Sequence, residues 1–229
     1  MKKTLLATAL AASSLFLAGQ ASAAPVTYLA ADNNVSSLGD MVNSSAAAAS
    51  FLSVAGSLNV FDFESAVPSN LTITGGSTTN NSGCGALCGF NTSAGGSFFR
   101  LVYGGSVTFS FAEAVDAFGF YVNGLQTDIV PQQTIKYVDG SSVTQTINMP
   151  SATGGGGAFI GFVDFGQLIS SVTFNATNDI LGFDDLRFGR SATDPNNPSN
   201  GVPEPASLAL LGLGLVGLAA ARRRKASHS

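Results

Sequence analysis

Two pairs of carboxylates have the spacing to share a cation. Asp62 and Glu64 alternate with Phe61 and Phe63, so on an extended strand the two acids project from the face opposite the two rings. Asp184 and Asp185 sit where an alternation breaks: Leu181 and Phe183 hold one phase, Leu186 and Phe188 the other. That break predicts a β-bulge, and a bulge lets adjacent carboxylates converge. If the first and last strands lie side by side, some of Asp62, Glu64, Asp184 and Asp185 form one calcium site, because hard oxygen ligands suit that ion. The competing expectation is that Asp184 or Asp185 pairs with Arg187 or Arg190 and that the other acids are solvated.

The remaining chemistry-bearing residues are few. Cys84 and Cys88 enclose Gly-Ala-Leu in a stretch of Gly, Asn and Ser. In an exported chain, which the N-terminus indicates, an even cysteine count favours a disulfide. The spacing lacks the C-x-x-C pattern and the second ligand pair of a redox or metal site. The closed loop is tiny, so its entropic effect on stability is modest. For stacking on sugars there is no Trp, and Tyr103, Tyr121 and Tyr137 are the candidates. With Phe118 and Phe120 inward, Tyr121 points outward; the plainer expectation for each tyrosine is half-buried strand filler. A carboxylate pair for glycoside hydrolysis is defined by a separation in space, so spacing along the chain locates none.

The two ends position everything else. Met1-Lys2-Lys3, an apolar run from Leu5 to Ala18, and Ala21-Ser22-Ala23 form a secretory signal peptide over residues 1–23, removed by signal peptidase. The other end reads Val202-Pro203-Glu204-Pro205, then an apolar run from Ala206 to Ala221, then Arg222-Arg223-Arg224-Lys225. At about 1.5 Å per residue the run spans roughly 24 Å, short of a hydrocarbon core of about 30 Å, a mismatch met by snorkelling or thinning. The basic cluster acts as a stop on the cytoplasmic side. Gly212, Gly214 and Gly217 are not a nucleotide loop, since no strand precedes them; they let the helix pack closely on another.

This motif, short helix and basic cluster over residues 202–225 closely resemble the PEP-CTERM sorting signal. The resemblance implies that exosortase, a membrane cysteine protease/transpeptidase of exopolysaccharide-producing bacteria, reads Pro203, Glu204 and Pro205. It also implies an inner-membrane-anchored precursor and a final place at the cell surface or in the extracellular, biofilm matrix. A permanent, unprocessed anchor is the alternative. Removal of both ends leaves roughly residues 24–200. Only Arg100, Lys136, Arg187 and Arg190 then face 13 acidic residues, a formal charge of about −9. That argues against nucleic-acid or anionic-membrane partners and suits cations or neutral sugars. The single histidine, His228, leaves with the tail, so Ser-His-Asp, Cys-His and His-zinc chemistry are excluded.

Between the ends, residues 24–57 are rich in Ala and Ser. A short helix is expected from Val42 to Val54, with Ser44 or Ser45 as N-cap, Gly56 beyond its end, and Phe51, Leu52 and Val54 laid on a sheet. From residue 58 to 190 the period becomes two. Strands are expected at Phe61–Phe63, Leu71–Thr74, Phe98–Tyr103, Val107–Phe111, Phe118–Val122, Ile135–Val138, Val143–Met149, Phe159–Val163, Val172–Phe174 and Leu181–Phe188. Asp139-Gly140 is the strongest turn signal, and Gly154 to Gly157 reads as a loop. About ten short strands predict an all-β domain, a β-sandwich or jelly roll. Residues 191–201 form a polar spacer.

Phe61-Asp62-Phe63-Glu64, Gly89-Phe90-Asn91-Thr92, Ala117-Phe118-Gly119-Phe120 and Phe183-Asp184-Asp185-Leu186-Arg187-Phe188 also resemble, more loosely, the jelly-roll ectodomains of PEP-CTERM proteins. Such folds also occur as carbohydrate-binding modules, in which acids on the first and last strands can hold a structural calcium, as the resemblance would have it for this chain. The expectation is thus a non-catalytic structural or polysaccharide-binding module; the alternative is a carboxylate-dependent polysaccharide hydrolase or lyase.

Overall fold

A computed structural model describes residues 25–81, 83–101, 105–126, 132–147, 155–175 and 179–192, with Arg100 and Leu101 in backbone only. The signal peptide, Tyr103, Met149, most of the spacer, the 202–225 signal and its apolar run lie outside the described residues. Among those described, no helix is long and apolar enough to cross a membrane.

Among the described residues, twelve strands and one α-helix follow in order: β1 (Val26–Asn33), α1 (Val42–Ala55), β2 (Asn59–Phe61), β3 (Leu71–Thr74), β4 (Ser77–Thr79), β5 (Phe98–Leu101), β6 (Ser106–Val115), β7 (Ala117–Leu125), β8 (Gln132–Tyr137), β9 (Ser142–Thr146), β10 (Gly156–Val163), β11 (Ile169–Asn175) and β12 (Leu181–Gly189). They pair antiparallel into two sheets. The larger runs β1-β10-β7-β12-β5-β4 with β2 also on β12, and the smaller runs β3-β6-β11-β8-β9. Asp139-Gly140 turns β8 into β9, with Gly140 at φ 88° and the Asp139 carboxylate accepting from the Ser141 N–H at 2.9 Å.

The alternating phenylalanines meet between the sheets. Phe109 and Phe111 of β6, Phe118 and Phe120 of β7, Phe174 of β11 and Phe183 and Phe188 of β12 share one buried cluster. Phe120 lies edge-on to Phe174, with centroids 6.0 Å apart, a geometry that the ring quadrupoles favour.

A third layer covers the opposite face of the larger sheet. Along α1 the buried residues are Ser44, Ala48, Phe51 and Ala55, a single helical stripe. Of these, Ala48, Phe51 and Ala55 pack with Ala117, Tyr121, Phe159 and Val163 in a second cluster. Hence every residue of β7 and β10 is buried. The helix approaches closely because Gly119 and Gly161 are directly paired across β7 and β10. A Cβ on Gly161 would stand 2.8 Å from both the Phe51 and Phe159 rings.

Two expectations for the N-terminal segment need correction. Its first eight-residue strand, β1, is part of the larger sheet, registered on β10 from Val26–Val163 to Asn33–Gly156. Neither Ser44 nor Ser45 is the cap of α1: Met41 takes the N-cap position without a side-chain bond. The cap comes from β1 instead. Asp32 accepts the Asn43 N–H at 3.0 Å, the Ser44 N–H at 2.8 Å and the Ser44 hydroxyl at 2.7 Å, satisfying donors that the first turn leaves open. Val54 lies outside the buried stripe. Gly56 does end the helix, at φ 73°. Gly156 and Gly157, expected in a loop, begin β10.

Candidate functional site

The predicted bulge is present, and so is the expected neighbourhood of first and last phenylalanine strands. On one side β12 runs along β7, with its register shifting between Asp184 and Arg187. On the other it pairs with β5 through Leu181–Phe183 and with β2 through Leu186–Phe188. Asp184 and Asp185 fall in the gap between those partners, and Asp185 adopts φ 54°.

The four acids nevertheless serve separate donors. Asp185 pairs with Arg187 at 2.7 Å, as the ion-pair expectation has it. Asp62 accepts the Glu64 N–H at 3.2 Å. Asp184 is wholly buried; its Oδ2 accepts the Thr92 N–H at 2.6 Å, the Thr92 hydroxyl at 3.1 Å and the Ser93 N–H at 3.0 Å, while Oδ1 accepts the Asp185 N–H at 2.8 Å. Glu64 accepts the Gly96 N–H at 2.7 Å, the Ser97 N–H at 2.6 Å and the Asn91 amide at 3.2 Å. Among the described residues, no three His, Cys, Asp or Glu side chains form a group able to hold a metal ion. Asp184 accepts through both oxygens, whereas Asp62, Glu64 and Asp185 each accept through one.

What Asp184 and Glu64 hold is a loop. The connection between β4 and β5 runs over residues 80–97 and contains no charged side chain. Asn123 of β7, fully buried, accepts the Phe90 N–H at 2.9 Å and donates to the Phe90 carbonyl at 2.8 Å. Asp184 holds Thr92 and Ser93; Glu64 holds Gly96 and Ser97. Between these points the backbone presses on the sheet: Gly89 has φ 97° and a Cβ there would stand 2.6 Å from Gly182 Cα. Only glycine permits that conformation and that approach. The Cys84–Cys88 disulfide is formed, with Cα atoms 5.6 Å apart, and closes the outer end of the loop.

The electrostatics follow from this geometry. Burial pushes the Asp184 carboxyl up to about 6, against the opposing pull of the Thr92, Asp185 and Ser93 donors. The Gly96 N–H first, then that of Ser97, hold exposed Glu64 below the usual carboxylate range. For Asp32, burial works upward but the Ser44 and Asn43 donors outweigh it, and its carboxyl titrates lower than usual.

Beside the loop lies an open groove of about 340 Å³, lined by Asn80, Asn81, Phe90, Asn91, Phe98 and glycines 85, 89 and 96, with Ser36 and Ala86 at its border. Among the described residues, no titratable side chain lines it. Phe98 is buried and Phe90 half-buried.

The tyrosine platform is a correction. Tyr121 does face away from Phe118 and Phe120, but α1 covers that face and leaves it 6% exposed. Its ring packs edge-on to Phe159 at 5.2 Å. Tyr137 is 4% exposed and donates to Asp164 at 2.9 Å. Burial and that carboxylate push the Tyr137 phenol far up. Both are strand filler. Asn123 and the loop-holding role of Glu64 were not anticipated; the one sequence signal was the uncharged Gly/Asn/Ser stretch around the cysteines.

Residues 201–225 match the PEP-CTERM protein-sorting motif. No curated protein matches the chain. Among solved structures, a family 29 carbohydrate-binding module complexed with mannohexaose aligns at 17% identity and TM-score 0.37, covering 62% of this chain and 98% of that one. The module TmCBM61 in complex with β-1,4-galactotriose aligns at 14% identity and TM-score 0.36, covering 57% and 94%.

Proposed function

We propose that this chain is an exported protein sorted by exosortase through Val202-Pro203-Glu204-Pro205, whose β-sandwich acts without catalysis as a structural or carbohydrate-binding module in the envelope or exopolysaccharide matrix. The observation that carries the reading is the PEP-CTERM sorting motif at residues 201–225. Its parts make physical sense in that role. Pro203 and Pro205 fix their own φ and bias the residues before them to extended backbone, which keeps the motif accessible to a membrane protease. The short apolar run parks the precursor in the bilayer, and Arg222, Arg223, Arg224 and Lys225 hold its end on the cytoplasmic side.

Two features support a non-catalytic sandwich. Its buried, raised carboxyl, Asp184, has both oxygens engaged by loop and backbone donors. Among the described residues the groove has no carboxylate lining, whereas general acid/base chemistry on a glycoside needs two carboxyl groups facing one bond. The domain's negative charge favours neutral partners over nucleic acid or anionic lipid.

Mass spectrometry of the protein recovered from the surface or matrix of its host tests the sorting. A C-terminus within or near residues 202–205 is expected. Full-length chain still ending in the arginine cluster, and recovered soluble from the cytoplasm, would sink the reading. A Glu204→Ala variant is expected to accumulate in the membrane fraction.

A further inference from the structure

We infer that the groove beside the β4–β5 loop is a binding site for a neutral pyranose unit of a polysaccharide; this rests on the carbohydrate reading above and gives that reading a place on the molecule.

The loop is held by an unusual number of buried groups. Exposed loops ordinarily run over the surface. Here two fully buried side chains, Asn123 and Asp184, are committed to the backbone of Phe90, Thr92 and Ser93, and the Thr92 hydroxyl donates to Asp184 as well. Glu64 fixes residues 96 and 97 from outside, and the disulfide closes residues 84–88. Burying such groups yields little unless they are fully bonded, and a solvated loop needs none of them. A loop fixed in advance does gain one thing, which is binding without the entropic cost of ordering itself.

The lining has the chemistry for sugar. Asn80 and Asn81 are exposed; the Asn80 amide presents two donors and an acceptor, and Asn81, whose Oδ1 accepts the Gly83 N–H at 2.9 Å, presents two donors. Sugar hydroxyls, each donor and acceptor at once, match that set. Phe90 anchors one side of its ring in the cluster under α1 and leaves the rest exposed at the groove, an apolar surface for the C–H face of a pyranose. The volume of about 340 Å³ lies at the low end of small-molecule pockets, roughly 300–1,000 Å³, which suits a sugar unit and not a long chain segment.

Charge narrows the ligand further. Among the described residues the lining has no Lys or Arg, and Glu64 stands beside it at Gly96. Uronate or sulfated sugars would meet the like charge of Glu64 there.

The test uses full-length protein in detergent, titrated calorimetrically with neutral gluco-, galacto- and manno-oligosaccharides and with oligouronates. Binding of at least one neutral series is expected, weakened roughly tenfold by Asn80→Ala and also by Phe90→Leu, which keeps apolar bulk but removes the ring. Thr72→Ala, at an exposed position on β3 of the other sheet, is expected to change nothing. Asn80 has no side-chain partner among the described residues, so its variant is expected to keep the native melting temperature. Neutral binding unaffected by both groove variants overturns this inference and leaves the carbohydrate reading standing. Preference for oligouronates overturns the neutral-ligand assignment. No binding of any series overturns the inference and the carbohydrate reading together.

Discussion

Ionisation of Asp184 should make this domain less stable as pH rises toward neutrality. The carboxyl is wholly buried and burial raises it to about 6, against about 3.9 in an unfolded chain. The folded state therefore holds the proton over a range in which the unfolded chain has lost it. Stability from this group is fully present below about pH 4 and is lost as pH rises through about 6. The difference is worth about 3 kcal/mol in total, of which about 2 kcal/mol falls between pH 4.5 and 7.5. Groups that titrate low act elsewhere. Asp32, Asp40, Glu64 and Asp139 all lie below their ordinary values, so their contribution is present above those values and lost in stronger acid. The two effects separate on the pH axis, and a stability maximum near pH 4 to 5 is expected. Urea unfolding at a series of pH values, extrapolated to water, measures the slope. Asp184→Asn should abolish it. Because Asp184 faces N–H and O–H donors, the amide places an N–H against a donor, at a cost of about 1–3 kcal/mol at all pH values. Wild-type stability that rises from pH 4.5 to 7.5, or a slope retained in Asp184→Asn, would refute this reasoning.

Other consequences are directly measurable. Asp32→Ala removes the cap that β1 supplies to α1 and should cost about 1–2 kcal/mol, read from the urea midpoint. Gly161→Ala puts a methyl 2.8 Å from the rings of Phe51 and Phe159 and should cost about 1–3 kcal/mol by overpacking, with a lower melting temperature and α1 the first segment to lose amide protection. Calcium titration should release no binding heat, because the acids are held by protein donors. Heat that disappears in an Asp184→Ala, Asp185→Ala variant would restore a metal site.

Much of the fold was legible in the chain. The phenylalanines of β6, β7 and β12 alternate because one side of each packs between the sheets, and a period of two survives in the letters. The bulge was legible as a change of phase between Phe183 and Leu186, since an extra residue flips every later side chain. Strand β1 was not. Its Val-Thr-Tyr-Leu-Ala-Ala-Asp-Asn stretch lies on an edge beneath α1, where neither face demands a clean alternation. Strand β4, Ser77–Thr79, is too short and polar to show a period. The tyrosines misled for a related reason: Tyr121 does point away from the sandwich core, but whether an outward face meets water depends on a helix contributed by residues far away in sequence.

The chain by itself determined the sorting motif at residues 201–225, the strand-forming middle and the absence of an imidazole from that middle, and it favoured the disulfide, because each is a property of residue type and local order. Tertiary structure alone decided what the carboxylates do. Asp184 and Glu64 have the same side chains whether they face a cation or an amide, and the N–H groups of Thr92, Ser93, Gly96 and Ser97 that claim them belong to the backbone, which every residue but proline shares and no letter of the sequence marks.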